Sequence, residues 1–117
     1  MSTIPYVLEF GMGMDLHGGD CTKAACRAVF DALRHSSLPL LREIRERNGI
    51  ILVDVTVAVP DPASVDLEVV KAELPHGTAT HGTVTVQAVS GGLRVPGGDT
   101  LIACAAITVS ARYPGDS

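Results

Sequence analysis

Tryptophan is absent from this chain of 117 residues, and aromatic side chains make up only 3% of it. A core without large rings has to be assembled from Val, Ile, Leu and Ala, each of which buries less area than an aromatic does. The same shortage, with a net charge of −4 and a pI of about 5.4, weighs against a nucleic-acid partner, which calls for a basic stripe and stacking rings. The one basic cluster, Arg42, Arg45 and Arg47, is interleaved with Glu43 and Glu46 and reads as a solvated helix face. No apolar run approaches the roughly 18 residues of a spanning helix, so no membrane partner is expected. The N-terminus also lacks the basic-then-apolar shape of a signal peptide. Cys21, Cys26 and Cys104 are an odd set without metal-type spacing. Together these features predict a cytoplasmic protein with reduced thiols, in which Cys26 and Cys104 are small buried hydrophobes.

What is present fits one domain over residues 1–117, with 46% apolar and 19% charged residues. Tyr6 to Phe10 reads as a first strand closed by Gly11, with Tyr6, Leu8 and Phe10 sharing one face. A glycine-rich loop through Gly11, Gly13, Gly18 and Gly19 follows. Asp20 or Thr22 can cap the next helix, whose buried stripe is Cys21, Ala24, Ala25, Ala28, Val29, Ala32 and Leu33. Lys23, Arg27, Asp31 and Arg34 fall on another face. A short helical segment from Leu40 to Arg47, a strand from Ile50 to Val59 and a helix from Leu67 to Leu74 come next. Strands from Thr83 to Val89 and from Leu101 to Arg112 complete the chain.

The fold class expected is α+β, in the order β-α-β-α-β-β, with a single layer of helices on a four-stranded mixed sheet. The second sheet face has a mixed character, with Glu9, Asp54, Thr56, Thr108 and Ser110 as candidates for it. Contact with other subunits would account for that mixture.

Candidate chemistry concentrates between residues 9 and 34. Glu9, an acid in an apolar strand, and His17 are the candidate catalytic residues for proton transfer. Gly11, Gly13, Asp15, Asp20, Lys23 and Arg27 are the candidate ligand-binding residues. Lys23 and Arg27 lie one helical turn apart near a helix N-terminus, suited to a carboxylate or phosphate. No cofactor is predicted; if a divalent metal is held, Asp15 and His17 are its first ligands, with His76 and His81 able to complete the set. The glycine run has neither GK[ST] nor the dinucleotide fingerprint, so a nucleotide is disfavoured.

The stretch EFGMGMDLHGGDCTKAACRAVFDAL, with VAVPDPASVD, VKAELPHGT and VSGGL, resembles a small family of bacterial conserved hypothetical proteins, the Lin family. The likeness covers most of the chain and brings no established activity. In topology the chain is similar to the chorismate-mutase-like fold, which also occurs in YjgF/RidA-type imine deaminases and ring-opening cyclic-amide hydrolases. That likeness implies a trimer with ligand clefts between subunits, built from one chain or from paralogous ones. The arginine pattern of the mutases and the serine–lysine segments of the ring-opening hydrolases are missing. The function expected is hydrolysis or isomerisation of a compact polar cyclic amide, imine or carboxylate, with hydrolysis favoured. A non-catalytic ligand-binding or accessory subunit, and a metal-dependent hydrolase using His17, are the alternatives.

Overall fold

The computed structural model of the chain describes residues 3–34, 38–74 and 82–115. Strand β1 runs over Ile4–Asp15, followed by helix α1 over Cys21–Leu33 and α2 over Leu38–Glu46. Strand β2 spans Ile50–Val59, a 3₁₀ turn covers Pro62–Ser64, and α3 covers Leu67–Lys71. Strands β3 (Gly82–Ser90), β4 (Leu93–Arg94) and β5 (Leu101–Arg112) complete the described elements. The long strands lie in the order β1-β5-β2-β3, with β4 beside β5. β5 is antiparallel to β1, β2 and β4, and β2 is parallel to β3. This is an α+β fold on a mixed sheet. A short fifth strand is added to the four that the sequence predicts.

The helices cover one face of that sheet. Ile51, Val53, Val55, Val57 and Val59 of β2 are buried beneath them, alternating with half-buried or exposed neighbours. α1 meets the sheet through the small residues Ala24, Ala28 and Ala32, all fully buried. Asp20 caps α1 by accepting from the Lys23 N–H at 3.1 Å, and Asp66 caps α3 by accepting from Glu68 and Val69. α2 ends where Asn48 takes a positive φ of 58° and the Gly49 N–H returns to the Ile44 carbonyl at 2.8 Å.

β1 departs from the sequence reading in length and in face. It continues past Phe10 to Asp15, paired with β5 throughout, so Gly11 and Gly13 are strand residues rather than loop residues. A Cβ on Gly11 would stand 2.2 Å from the Ala28 carbonyl oxygen, and one on Gly13 2.3 Å from the Ala28 nitrogen. These glycines face the backbone of α1, and the twofold period of the strand does the rest. Asp15 turns inward with them, and so does Glu9, which lies opposite the buried Ile107. Glu9 therefore sits on the helix side, not on the open face with Asp54, Thr56 and Thr108. Leu8, Phe10, Met12 and Met14 turn outward and are 54%, 66%, 60% and 50% exposed. A register shift between Pro5 and Val7 separates Tyr6 from that outward row, and Tyr6 packs against the core.

At the far end of the sheet, the Tyr6 and Tyr113 hydroxyls share a hydrogen bond of 2.7 Å, and the Arg47 guanidinium lies 4.7 Å from the Tyr113 ring centre. The hydrogen bond to Tyr6 foremost, and then burial, raise the Tyr113 phenol above its ordinary value near 10. A raised value in the folded state means that the contribution to stability is complete below the ordinary value. It is lost as pH rises through the raised one. Ultraviolet titration should therefore show one of the two tyrosines ionising late. Tyr6→Phe should bring that step back toward pH 10; an unchanged titration would show that the pairing does not control it.

Candidate functional site

At the C-terminal end of β1 the chain turns through Leu16 to Gly19 into α1. Gly18 and Gly19 adopt positive φ angles of 100° and 62°, which glycine tolerates at least cost. Three polar contacts fix this turn. Asp15, only 4% exposed, accepts the Asp20 N–H at 2.7 Å. Asp99 accepts the Gly18 N–H at 2.7 Å, and the Thr100 hydroxyl donates to the Leu16 carbonyl at 2.8 Å. The β4–β5 connection thus clasps the loop, and Arg94 approaches Gly19 from the same side.

The outer edge of β1 is lined by one face of α1. Arg27 Nη1 donates to the Met14 carbonyl at 2.6 Å and lies 3.5 Å from Asp15 Oδ1. One turn further along, Asp31 Oδ2 accepts the Met12 N–H at 3.0 Å, and Arg34 lies 4.0 Å from its other oxygen. The groove between strand edge and helix encloses about 610 Å³ and is lined by Met12, Met14, Asp15, Leu16, His17, Arg27, Phe30, Asp31 and Arg34, with Gly13 at its floor. His17 is 93% exposed, its Nδ1 standing 4.0 Å from Asp99 Oδ1, where a protonated imidazole and a carboxylate attract. The groove joins apolar side chains to both signs of charge, which suits a compact polar molecule with a carboxylate or oxyanion.

The residues singled out in the sequence divide accordingly. Asp15, His17 and Arg27 come together at this groove. Asp20 is the N-cap of α1, and Lys23 is exposed outside the groove lining. Gly11 and Gly13, expected where a ligand approaches the backbone, have that approach filled by α1 itself. Glu9 stands six positions before Asp15 on the same strand, about 20 Å away at the strand rise, so it and His17 cannot serve one groove of one chain. The Gly18 and Asp20 amides at the turn already donate to Asp99 and Asp15.

Among the described residues no three His, Cys, Asp or Glu side chains gather as a metal-holding group, and His76 and His81 lie outside those residues. Cys21 is buried in the helix stripe and Cys26 is half-buried, but Cys104 is exposed because even-numbered β5 positions face away from the helices. Burial foremost, and then the carboxylates of Glu73, Asp20 and Asp66, raise the Cys26 thiol above its ordinary value. No described helix is long and apolar enough to cross a membrane.

Sequence reasoning missed Asp31, Arg34, Asp99 and Thr100 as parts of the site. For the helix pair the signal was present, because Arg27, Asp31 and Arg34 recur at one-turn spacing. For Asp99 and Thr100 no local pattern reveals a partner more than eighty residues away.

Comparison with known proteins adds a family and a fold neighbour. The model of a family described as conserved hypothetical protein (Lin0512 family) matches residues 5–109. No curated protein matches the chain. The crystal structure of an FtsZ-like protein of unknown function from Nostoc punctiforme PCC 73102 is similar, with 37% identity and a TM-score of 0.72. That similarity covers 94% of this chain and 97% of the other.

Proposed function

We propose, for a chain that belongs to the Lin0512 family of conserved hypothetical proteins, a small-molecule function seated in the groove between β1 and α1. The ligand class is a compact polar cyclic amide, imine or carboxylate. The observation that carries this reading is the meeting of Arg27, Asp15 and His17 at one groove. Arg27 is anchored through a single nitrogen, Nη1, to Met14 and Asp15, and the rest of its guanidinium supplies donors to a carboxylate or developing oxyanion. His17 moves the proton, with Asp99 beside it at 4.0 Å. Glu9 is left out of this groove within one chain.

Hydrolysis is the favoured reaction, and a chorismate-mutase-like trimer with the grooves between its subunits is the favoured assembly. A second, non-catalytic reading has its own support. The loop amides donate inside the protein, and His17 is almost wholly exposed, which is less preorganisation than catalysis exploits.

Native mass spectrometry of gently purified protein tests the site through a retained small molecule. Arg27→Gln should weaken that ligand roughly 10- to 100-fold, the worth of a charged hydrogen bond, while the circular dichroism spectrum stays the same. Full retention by Arg27→Gln removes the groove from consideration. With the ligand identified, His17→Ala that binds but does not turn over supports the enzyme. A wild type that binds the ligand without turning it over leaves the binding reading, and equal turnover by His17→Ala and wild type removes His17 from the chemistry.

A further inference from the structure

The face of the sheet away from the helices is uncovered in the single chain, and its two halves differ. On the β2–β3 half the polar groups satisfy one another: the Thr85 hydroxyl donates to Asp54, and the Gln87 amide donates to Thr56 at 3.0 Å. On the β1–β5 half, from Leu8 to Met14 and from Ile102 to Ser110, the outward positions carry no charged side chain. Four large residues of one strand, Leu8, Phe10, Met12 and Met14, each expose half or more of their surface. Together they leave roughly 500 Å² of apolar side chain exposed, near the upper end for the largest patch on a monomer. The outward Ile102, Cys104 and Ala106 extend that patch toward the roughly 800 Å² that each partner contributes to a standard interface.

From this patch we infer that the β1–β5 half of the open face is covered by a second copy of this chain. Three observations select that occupant. A chain of net charge −4 meets its own copy with least local repulsion through an uncharged surface, and this half is the uncharged one. No charge pattern on it specifies an unlike partner. Approach along the strand edge is hindered, because Asp31 and Arg27 already occupy the outward Met12 N–H and Met14 carbonyl. Met12 and Met14 belong both to this face and to the Arg27 groove, so a copy seated on the face walls a groove that one chain leaves open. This last step rests on the proposed ligand site; the packing itself does not.

The chain carries its own reporter, since Cys104 lies opposite Met12 in the middle of the patch, while Cys21 is buried and the half-buried Cys26 lies on α1, on the other side of the sheet. Native mass and N-ethylmaleimide labelling are to be measured on the wild type, Phe10→Asp, Met12→Glu and, as a control on α3, Val69→Glu. The wild type should be a multiple of 12.2 kDa with Cys104 labelled slowly. Phe10→Asp and Met12→Glu should fall to the single-chain mass with unchanged circular dichroism, and Cys104 should then label several-fold faster. Val69→Glu should match the wild type. A wild type of single-chain mass, charged variants that keep the full mass, or purification only with an unlike protein would each overturn the inference. Arg27→Gln separates the two proposals: loss of ligand at full mass is expected, and an oligomer that never binds a ligand would sink the groove alone.

Discussion

Gly13→Ala is expected to lower the free energy of unfolding by about 3 kcal/mol, the upper part of the range for overpacking. The added Cβ would sit 2.3 Å from the Ala28 nitrogen and 2.4 Å from the Ala24 carbonyl oxygen, both backbone atoms in the middle of α1. No side-chain rotation can relieve such a contact, so the helix as a whole must lift from β1. Gly11→Ala should have a similar effect, against Ala28 and Ala32. Neither glycine has a positive φ, so the cost is steric rather than conformational. The double variant should lose less than the sum of the two, because a helix already lifted by one methyl has room for the other. Gly98→Ala is the control: open space surrounds that position, and the change should stay within about 0.5 kcal/mol. Urea denaturation followed by circular dichroism reads all four. A Gly13→Ala protein as stable as Gly98→Ala would show that α1 does not sit against the strand backbone.

Asp15→Ala is the second large effect, expected at about 2–3 kcal/mol. Asp15 is buried, yet its partner Arg27 is 56% exposed at the side chain, so water screens much of the charge pairing. The greater part of the loss comes from the Asp20 N–H, which would lose its acceptor at the start of α1. Asp15→Asn keeps an acceptor oxygen there and should cost only about 1 kcal/mol. Equal losses for the two variants in the same denaturation experiment would instead assign the effect to charge.

The contrast between these sites shows what the sequence could reveal. α1 was legible, because its alanine stripe and Asp20, one of its two candidate caps, are local patterns, and β2 was legible from its run of β-branched residues. The first strand was not. Alternation of Leu8 and Phe10 pointed to a core face there, but the demand of α1 for a bare backbone opposite Ala24, Ala28 and Ala32 placed Gly11 and Gly13 inward. Period two then carried Glu9 and Asp15 in and the four large apolar residues out. Gly11 and Gly13, read as loop formers, were packing surfaces, while Gly18 and Gly19 do form the turn. Of the site, Asp15, His17 and Arg27 were legible as a cluster because they are close in the chain. Asp99 and Thr100 were not, because only the β4–β5 hairpin brings them to the loop.

The order of the strands also governs when the protein can fold. β1 and β2, made first, are not neighbours; the last strand, β5, lies between them and pairs with both. The ladder joins Ile4 to Ala111, so loop closure on the scale of the whole chain precedes any complete sheet. A nascent chain therefore holds β1 and its outward Leu8, Phe10, Met12 and Met14 unpaired until residues 101–112 leave the ribosome. Over that interval these residues are a hazard for wrong association between chains. Stalling or truncation upstream of β5 should send the product to chaperones or aggregates rather than to a smaller folded core.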